Sequence, residues 1–243
     1  MRWMSGGAIA AVCAMSTPAL AAPVTVLVDF GATASPTDPA DDVTRTWNNL
    51  TAAVGTTNSG VVSNLKATNG TTTAAGISMV ARFNGSNTNG TTASTLYPSD
   101  ATSDSLYGNV ETFGGLPNIT PVFKITGLDP GLAYDLTFYA SRTGTADNRN
   151  GRYTIAGDAT SFVELNAAEN VNNTITASAI GADANGEIQI TITAGTGNNN
   201  ANHFAYLGVL TIFGEIAPVP EPATGALLVG GAALGLRRRT RRA

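Results

Sequence analysis

Cysteine is nearly missing from this chain: its one copy, Cys13, sits in an apolar segment close to the N-terminus. Beyond that segment there is no material for a disulfide framework, a thiolate metal site or a cysteine nucleophile. Histidine is equally scarce, with His203 alone. Zinc sites combine several His or Cys ligands, so zinc chemistry is poorly provided for. No Gly-X-Ser-X-Gly elbow accompanies the lone imidazole, and a histidine at a strand edge is most often structural. Lysine is reduced to Lys66 and Lys124, and from Pro23 to Pro222 seventeen acids face seven Lys or Arg, a net charge of about −10. The whole-chain value of −4 hides this, because six of the thirteen bases lie in the two ends. Nucleic acid and anionic lipid need clustered cations, so both are excluded as partners of this acidic body. Such a surface suits a protein kept soluble outside the cell.

What is present at the ends points to export. Met1 to Ala22 has a basic residue (Arg2), an apolar core from Gly6 to Met15 and the small-residue end Ala19-Leu20-Ala21-Ala22. That is the layout of a secretory signal peptide, with cleavage expected after Ala21 or Ala22 and Sec export machinery as the implied partner. At the other end, Pro220-Glu221-Pro222 is followed by an uncharged run from Ala223 to Leu236, then Arg237, Arg238, Arg239, Arg241 and Arg242. The prolines uncouple this tail from what precedes it. The run reads as a single short apolar helix over 223–236, shorter than the ~20 residues that cross a bilayer. The arginines would hold its end on the cytoplasmic side of the inner membrane.

This order of parts resembles the PEP-CTERM sorting signal of exopolysaccharide-producing Gram-negative bacteria. The resemblance implies that an exosortase, an integral-membrane cysteine protease, recognises Pro220, Glu221 and Pro222 while Arg237, Arg238 and Arg239 act as the stop. The inner-membrane anchor would then be transient, and the product would be released or attached at the cell surface. An ordinary anchor that stays in the membrane is the other reading of the same tail.

The body, residues 23–217, reads as one domain between the signal peptide (1–22) and the tail (218–243). Val24 to Phe30 is a β-branched run ending at Gly31, a buried first strand. Further strands are expected over 76–83, 122–126, 134–141, 152–155, 161–165, 172–179, 187–193 and 203–213. Turn signals separate them, including Asp129-Pro130-Gly131, Arg149-Asn150-Gly151 and Asp183-Ala184-Asn185-Gly186. About nine regularly spaced strands without a convincing amphipathic helix indicate an all-β fold, an antiparallel β-sandwich of jelly-roll type. Ile125-Thr-Gly-Leu-Asp-Pro-Gly131, Tyr134 to Arg142 and His203-Phe-Ala-Tyr-Leu-Gly208 resemble the galactose-binding-like accessory modules of secreted bacterial proteins. That resemblance implies carbohydrate or surface contact.

Three groups of residues are candidates for chemistry. Trp47, followed by Asn48 and Asn49, could stack on a sugar ring while the amides bond hydroxyls; the alternative is a tryptophan that anchors its loop. Arg142, Arg149, Arg152 and Tyr153, with Asn148 and Asn150, are close in sequence and suit hydroxyl-rich or carboxylated polysaccharides, exopolysaccharide among them. Those cations could instead pair with Asp135, Asp147 or Asp158. Asp38, Asp41 and Asp42 share one loop, and with Asp29 they form a candidate set for a structural calcium; Asp100 and Asp104 form a second acidic cluster. Glu164, Glu169, Asp100 and Asp104 are nominal glycosidase carboxylates. The expectation is an exported cell-surface or matrix protein, non-catalytic, structural or polysaccharide-binding. The rival is a secreted glycan-active hydrolase or esterase.

Overall fold

The computed structural model describes residues 22–109, 111–115 and 119–219. Apart from Ala22, Pro218 and Val219, the expected signal peptide and sorting tail lie outside those residues. Among the described residues, no helix is long and apolar enough to cross a membrane.

The chain is an all-β antiparallel sandwich. One sheet has five strands in the order β11 (Ile175–Gly181), β8 (Ala133–Tyr139), β14 (Val209–Gly214), β1 (Val24–Asp29) and β2 (Trp47–Asn49). The other has six, in the order β10 (Thr160–Asn166), β9 (Asn150–Ala156), β12 (Ile188–Ala194), β7 (Val122–Thr126), β4 (Gly76–Ala81) and β3 (Val61–Val62). All pairings in these two sheets are antiparallel except β1 with β2, which run parallel. One-turn helices, α1 (Ala52–Gly55) and α2 (Ser99–Thr102), are the only helices among the described residues.

Side-chain alternation explains how the sheets close on each other. In β9, Gly151, Tyr153 and Ile155 are buried while the residues between them are half-exposed. β12 repeats the pattern with Ile188, Ile190 and Ile192, and β7 with Phe123 and Ile125. Facing them are Val26, Val28, Leu136, Phe138, Leu210 and Ile212 from the five-stranded sheet. Aromatic contacts span the interior: Phe138 stacks on Tyr153 at 4.4 Å between centroids, and Phe30 meets Phe123 at 5.3 Å. β1 is buried at four consecutive positions, Val26 to Asp29, in the interior of its sheet between β14 and β2. A strand covered on both faces tolerates an uninterrupted apolar run.

A third, smaller sheet has the order β13 (Ala205–Leu207), β6 (Ser105–Gly108) and β5 (Gly85–Asn87). It explains the largest departure from the sequence expectation. The run 203–213 is two strands: β13 pairs with β6, and after Gly208 the chain joins the main sheet as β14. At the crossing, the Gly208 N–H donates to the Tyr139 carbonyl at 2.9 Å and its carbonyl accepts from the Phe30 N–H at 2.6 Å. A Cβ there would sit 3.3 Å from the Asp104 carbonyl oxygen, so glycine allows the close passage. The expected strand over 172–179 begins later, at Ile175, and carries a bulge between Ala177 and Ile180.

Candidate functional site: an arginine and aromatic cleft

The small sheet carries a concave surface on its outer face. Leu106 and Leu207 are paired across β6 and β13 and point into the core, so their neighbours Tyr107 and Tyr206 face the other way as a second pair. Gly85 of β5 completes the row opposite Tyr107. A Cβ on Gly85 would lie 2.7 Å from the Tyr107 hydroxyl oxygen and 3.0 Å from its ring, so the ring lies over bare backbone. Phe204 precedes β13 and meets Tyr107 edge-on at 5.2 Å. Phe113 caps the group edge-on to Phe204 at 4.9 Å and to Tyr107 at 6.3 Å, and it remains 43% exposed.

Two arginines close the cleft. The Arg149 side chain is 12% exposed and lies over Phe204 and Tyr206, 5.6 and 5.8 Å from their centroids. It donates to the Tyr206 hydroxyl and makes a forked pair with Asp147, at 2.8 Å through Nε and 3.2 Å through Nη2. Asp147 also accepts from the Asn200 amide, and these partners hold its carboxyl below the usual carboxylate range. Burial raises the Tyr206 hydroxyl above its ordinary pKa despite the opposing pull of Arg149 and Arg142. Arg142 enters from beyond the end of β8. With Ser86, Asn87, Thr88 and Asn89, these side chains line a cleft of about 310 Å³. The Asn89 carbonyl accepts from the Thr143 N–H at 2.7 Å and its hydroxyl at 3.0 Å, which ties the Asn wall to the Arg142 segment.

Thus the fold unites Arg142 and Arg149 but takes Arg152 and Tyr153 elsewhere. Strand alternation in β9 divides a polar-looking run between two faces. Arg152 pairs with Glu164 at 2.8 Å and lies 4.4 Å over the Phe162 ring, on the outer face of the six-stranded sheet. Tyr153 is fully buried, donates to the Tyr206 carbonyl at 2.6 Å and stacks on Phe138, so it is a core residue and not a ligand contact. Its hydroxyl is held far above its ordinary pKa by burial.

Trp47 and Asn48 also belong to another region. Trp47 is half-buried in β2, donates to Asp42 at 3.0 Å and meets Tyr97 edge-on at 5.8 Å. It lines an open groove with Arg45, Lys66 and Asn69. The Asn48 amide is consumed by the backbone: it donates to the Leu27 and Lys66 carbonyls and accepts from the Lys66 N–H. It bridges β1 to the segment at Lys66, with both amide hydrogens and one lone pair of its oxygen committed to the backbone.

The four acids grouped for calcium are not brought together. Asp38 and Asp41 accept from backbone amides within their own exposed turn. Asp42 bonds Trp47, Thr44 and Arg45, which outweigh the opposing effect of burial and keep it ionised well below the usual range. Asp29 is buried beneath the turn and faces a different acid, Asp104. Among the described residues, no three His, Cys, Asp or Glu side chains converge as a metal site.

The glycosidase candidates are engaged or enclosed. Glu164 is held by Arg152, Asn150 and Thr196, Glu169 accepts from the Thr145 N–H, and Asp104 is only 2% exposed. Asp100, in α2, is near enough to Asp104 and Asp29 to raise both their pKa values. His203 takes a left-handed backbone conformation (φ 52°), and its Nδ1 has no hydrogen-bond partner; Glu111 lies 4.0 Å away.

Sequence reasoning missed Tyr107, Phe113, Phe204, Tyr206, Asn87 and Asn89. The signal available was the alternation Phe204-Ala205-Tyr206-Leu207, which puts two aromatics on one face of a strand.

No family model matches the chain, and no curated protein matches it. Several solved structures are similar to it in part. The plant receptor-like kinase ANX2 aligns with a TM-score of 0.51 at 13% identity, over 82% of this chain and 51% of that one. The ANXUR1 extracellular domain from Arabidopsis thaliana gives 0.48 at 15% identity, over 81% and 51%. The chain therefore spans about half the length of those plant ectodomain chains. The carbohydrate-binding module TmCBM61, solved with β-1,4-galactotriose, matches over 49% of this chain and 72% of its own, with a TM-score of 0.25 at 11% identity.

Proposed function

We propose that this protein is a non-catalytic polysaccharide-binding module of a bacterial surface or extracellular matrix, and that the cleft between β5, β6 and Arg142 is its binding site. The observation that carries this reading is Phe113, 43% exposed at the mouth of an otherwise sheltered aromatic group. An aromatic platform beside a few hydrogen-bonding groups offers an apolar face to a pyranose ring and polar partners to its hydroxyls. The Asn and Thr side chains of 87–89 and the guanidinium of Arg142 supply those partners.

The test is a panel of bacterial and plant polysaccharides, probed with the chain from Pro23 to Val219. Phe113→Ala is expected to weaken binding about tenfold or more, as truncation of a central aromatic contact does. Because the ring is partly exposed, its melting temperature should stay close to wild type. A variant that binds like wild type would remove the cleft from consideration.

The route to the surface is part of the same proposal. Pro220-Glu221-Pro222, the apolar run 223–236 and the arginines that follow support sorting by an exosortase after Sec-dependent export, with transient anchoring in the inner membrane. Deleting 219–243 is expected to shift the protein from the surface fraction into the soluble exported fraction. Unchanged location and processing after deletion would end the sorting reading.

A further inference from the structure

The cations of the sandwich differ sharply in whether an acid answers them. Arg45, Lys124, Arg149 and Arg152 each have a carboxylate oxygen within 2.8 Å. Among the described residues, Arg142 has none within 4.0 Å, although the body carries about ten more acids than bases. Lys66 and Arg82 also lack one, but neither lines the aromatic cleft.

The two acids next to Arg142 are directed elsewhere. Glu169 follows the segment that pairs with Arg142, yet its carboxylate accepts from the Thr145 N–H at 2.7 Å. Asp147 is occupied by Arg149 and Asn200. Arg142 donates to the neighbouring Thr143 carbonyl and lies close enough to the Tyr206 hydroxyl to oppose the rise in its pKa, and both partners are uncharged, so no acid answers the five-donor fork.

Its backbone is nevertheless well held. The Arg142 N–H donates to the Ala167 carbonyl at 2.8 Å, and its carbonyl accepts from the Glu169 N–H at 2.9 Å. The preceding residue, Ser141, is buried and bonds the Asn170 carbonyl at 2.7 Å. A fixed backbone holds the root of this unanswered guanidinium at the cleft wall, where an anion can meet it. Within the cleft, Arg142 and Arg149 against Asp147 leave one positive charge on an acidic molecule.

We propose that the cleft selects a carboxylate-bearing sugar, with Arg142 receiving the carboxylate in a forked, charge-assisted pair while Phe113 and Tyr107 hold the ring. This rests on the cleft being a glycan site. A planar guanidinium matches a carboxylate in a way that a hydroxyl pair does not, so charge and geometry select together.

The experiment compares polygalacturonate, alginate and hyaluronate, each beside its carboxyl-reduced form, for binding to the chain from Pro23 to Val219. At least one acidic polymer should bind about tenfold or more tightly than its reduced form. Arg142→Gln should lose that preference and bind the acidic polymer no better than the reduced one. Arg142→Lys, which keeps the charge without the fork, should fall between, and both variants should melt with wild type. Equal binding of each acidic polymer and its reduced form would overturn the acid preference. If that binding still depended on Phe113, the glycan cleft would stand without it. Failure of every polymer to bind would overturn both.

Discussion

Replacing Asp29 by Asn is expected to raise the melting temperature at pH 8 and to leave it nearly unchanged near pH 4. Asp29 and Asp104 are 1% and 2% exposed, and each has one carboxylate oxygen without a partner. The remaining oxygens fasten the turn after β1: Asp29 accepts from the Thr37 N–H and hydroxyl, and Asp104 accepts from the Ala32 N–H at 2.6 Å. Burial, the charge of Asp104 and, more weakly, that of Asp100 push Asp29 up to about 7 against the hydrogen bonds from Thr37. Burial pushes Asp104 up to about 6, with Asp100 adding to it and the Ala32 bond opposing it.

The sign follows from proton counting. Between the unfolded value of about 3.8 and these raised values, the folded state holds more protons than the unfolded chain, so stability falls as pH rises. The loss is complete above about 7, where both acids must ionise in the folded state. An amide at position 29 removes one of the two like charges while keeping an oxygen for Thr37. A gain on the order of 2–3 kcal/mol at pH 8 is expected from the size of such shifts. For a domain of this size that corresponds to at least about 5 °C. Thermal melts at pH 4, 6 and 8 check it. A wild-type melting temperature that does not fall between pH 4 and pH 8 would show that the pair is not held as described.

Tyr153→Ala is expected to be the most damaging single change outside the glycines. The ring stacks on Phe138 at 4.4 Å and 11°, joining the two main sheets across the core. Its hydroxyl reaches the Tyr206 carbonyl directly behind the cleft. Emptying an aromatic site of this kind costs about 3–5 kcal/mol. Tyr153→Phe keeps the stack and loses only the buried hydrogen bond, for about 1–2 kcal/mol. The order Ala, then Phe, then wild type in urea midpoints is the expected result. A residue that merely touched ligand would instead lose binding while stability stayed constant.

These two predictions concern residues whose roles the sequence suggested differently. Asp29 grouped with Asp38, Asp41 and Asp42 because all four lie near one loop. Folding turns Asp29 inward toward Asp104, seventy-five positions later, and leaves the others to cap the turn. Tyr153 grouped with Arg149 and Arg152, yet a strand sends adjacent side chains to opposite faces. Proximity along a chain predicts proximity in space only within a turn, and most of these residues enter or leave strands.

The sequence by itself determined the class of the fold, because buried strands must present apolar side chains at alternate positions and the core strands do so. β7 is found where the pattern put it, Val122 to Thr126, and β12 differs from expectation by a single residue at each end. The sequence also determined the acidity of the body and its poverty in cysteine and histidine. Tertiary structure alone decided where the cleft lies. Its sheet is built from β5, β6 and β13, strands of three or four residues that are too short to show a period, and the last of them was hidden inside a longer run. Register across those three strands, set by backbone hydrogen bonds between segments up to about 100 positions apart, brought Gly85, Tyr107 and Tyr206 into one row. Separate backbone bonds, from the Arg142 segment to Ala167, Glu169 and Asn89, placed Arg142 beside them.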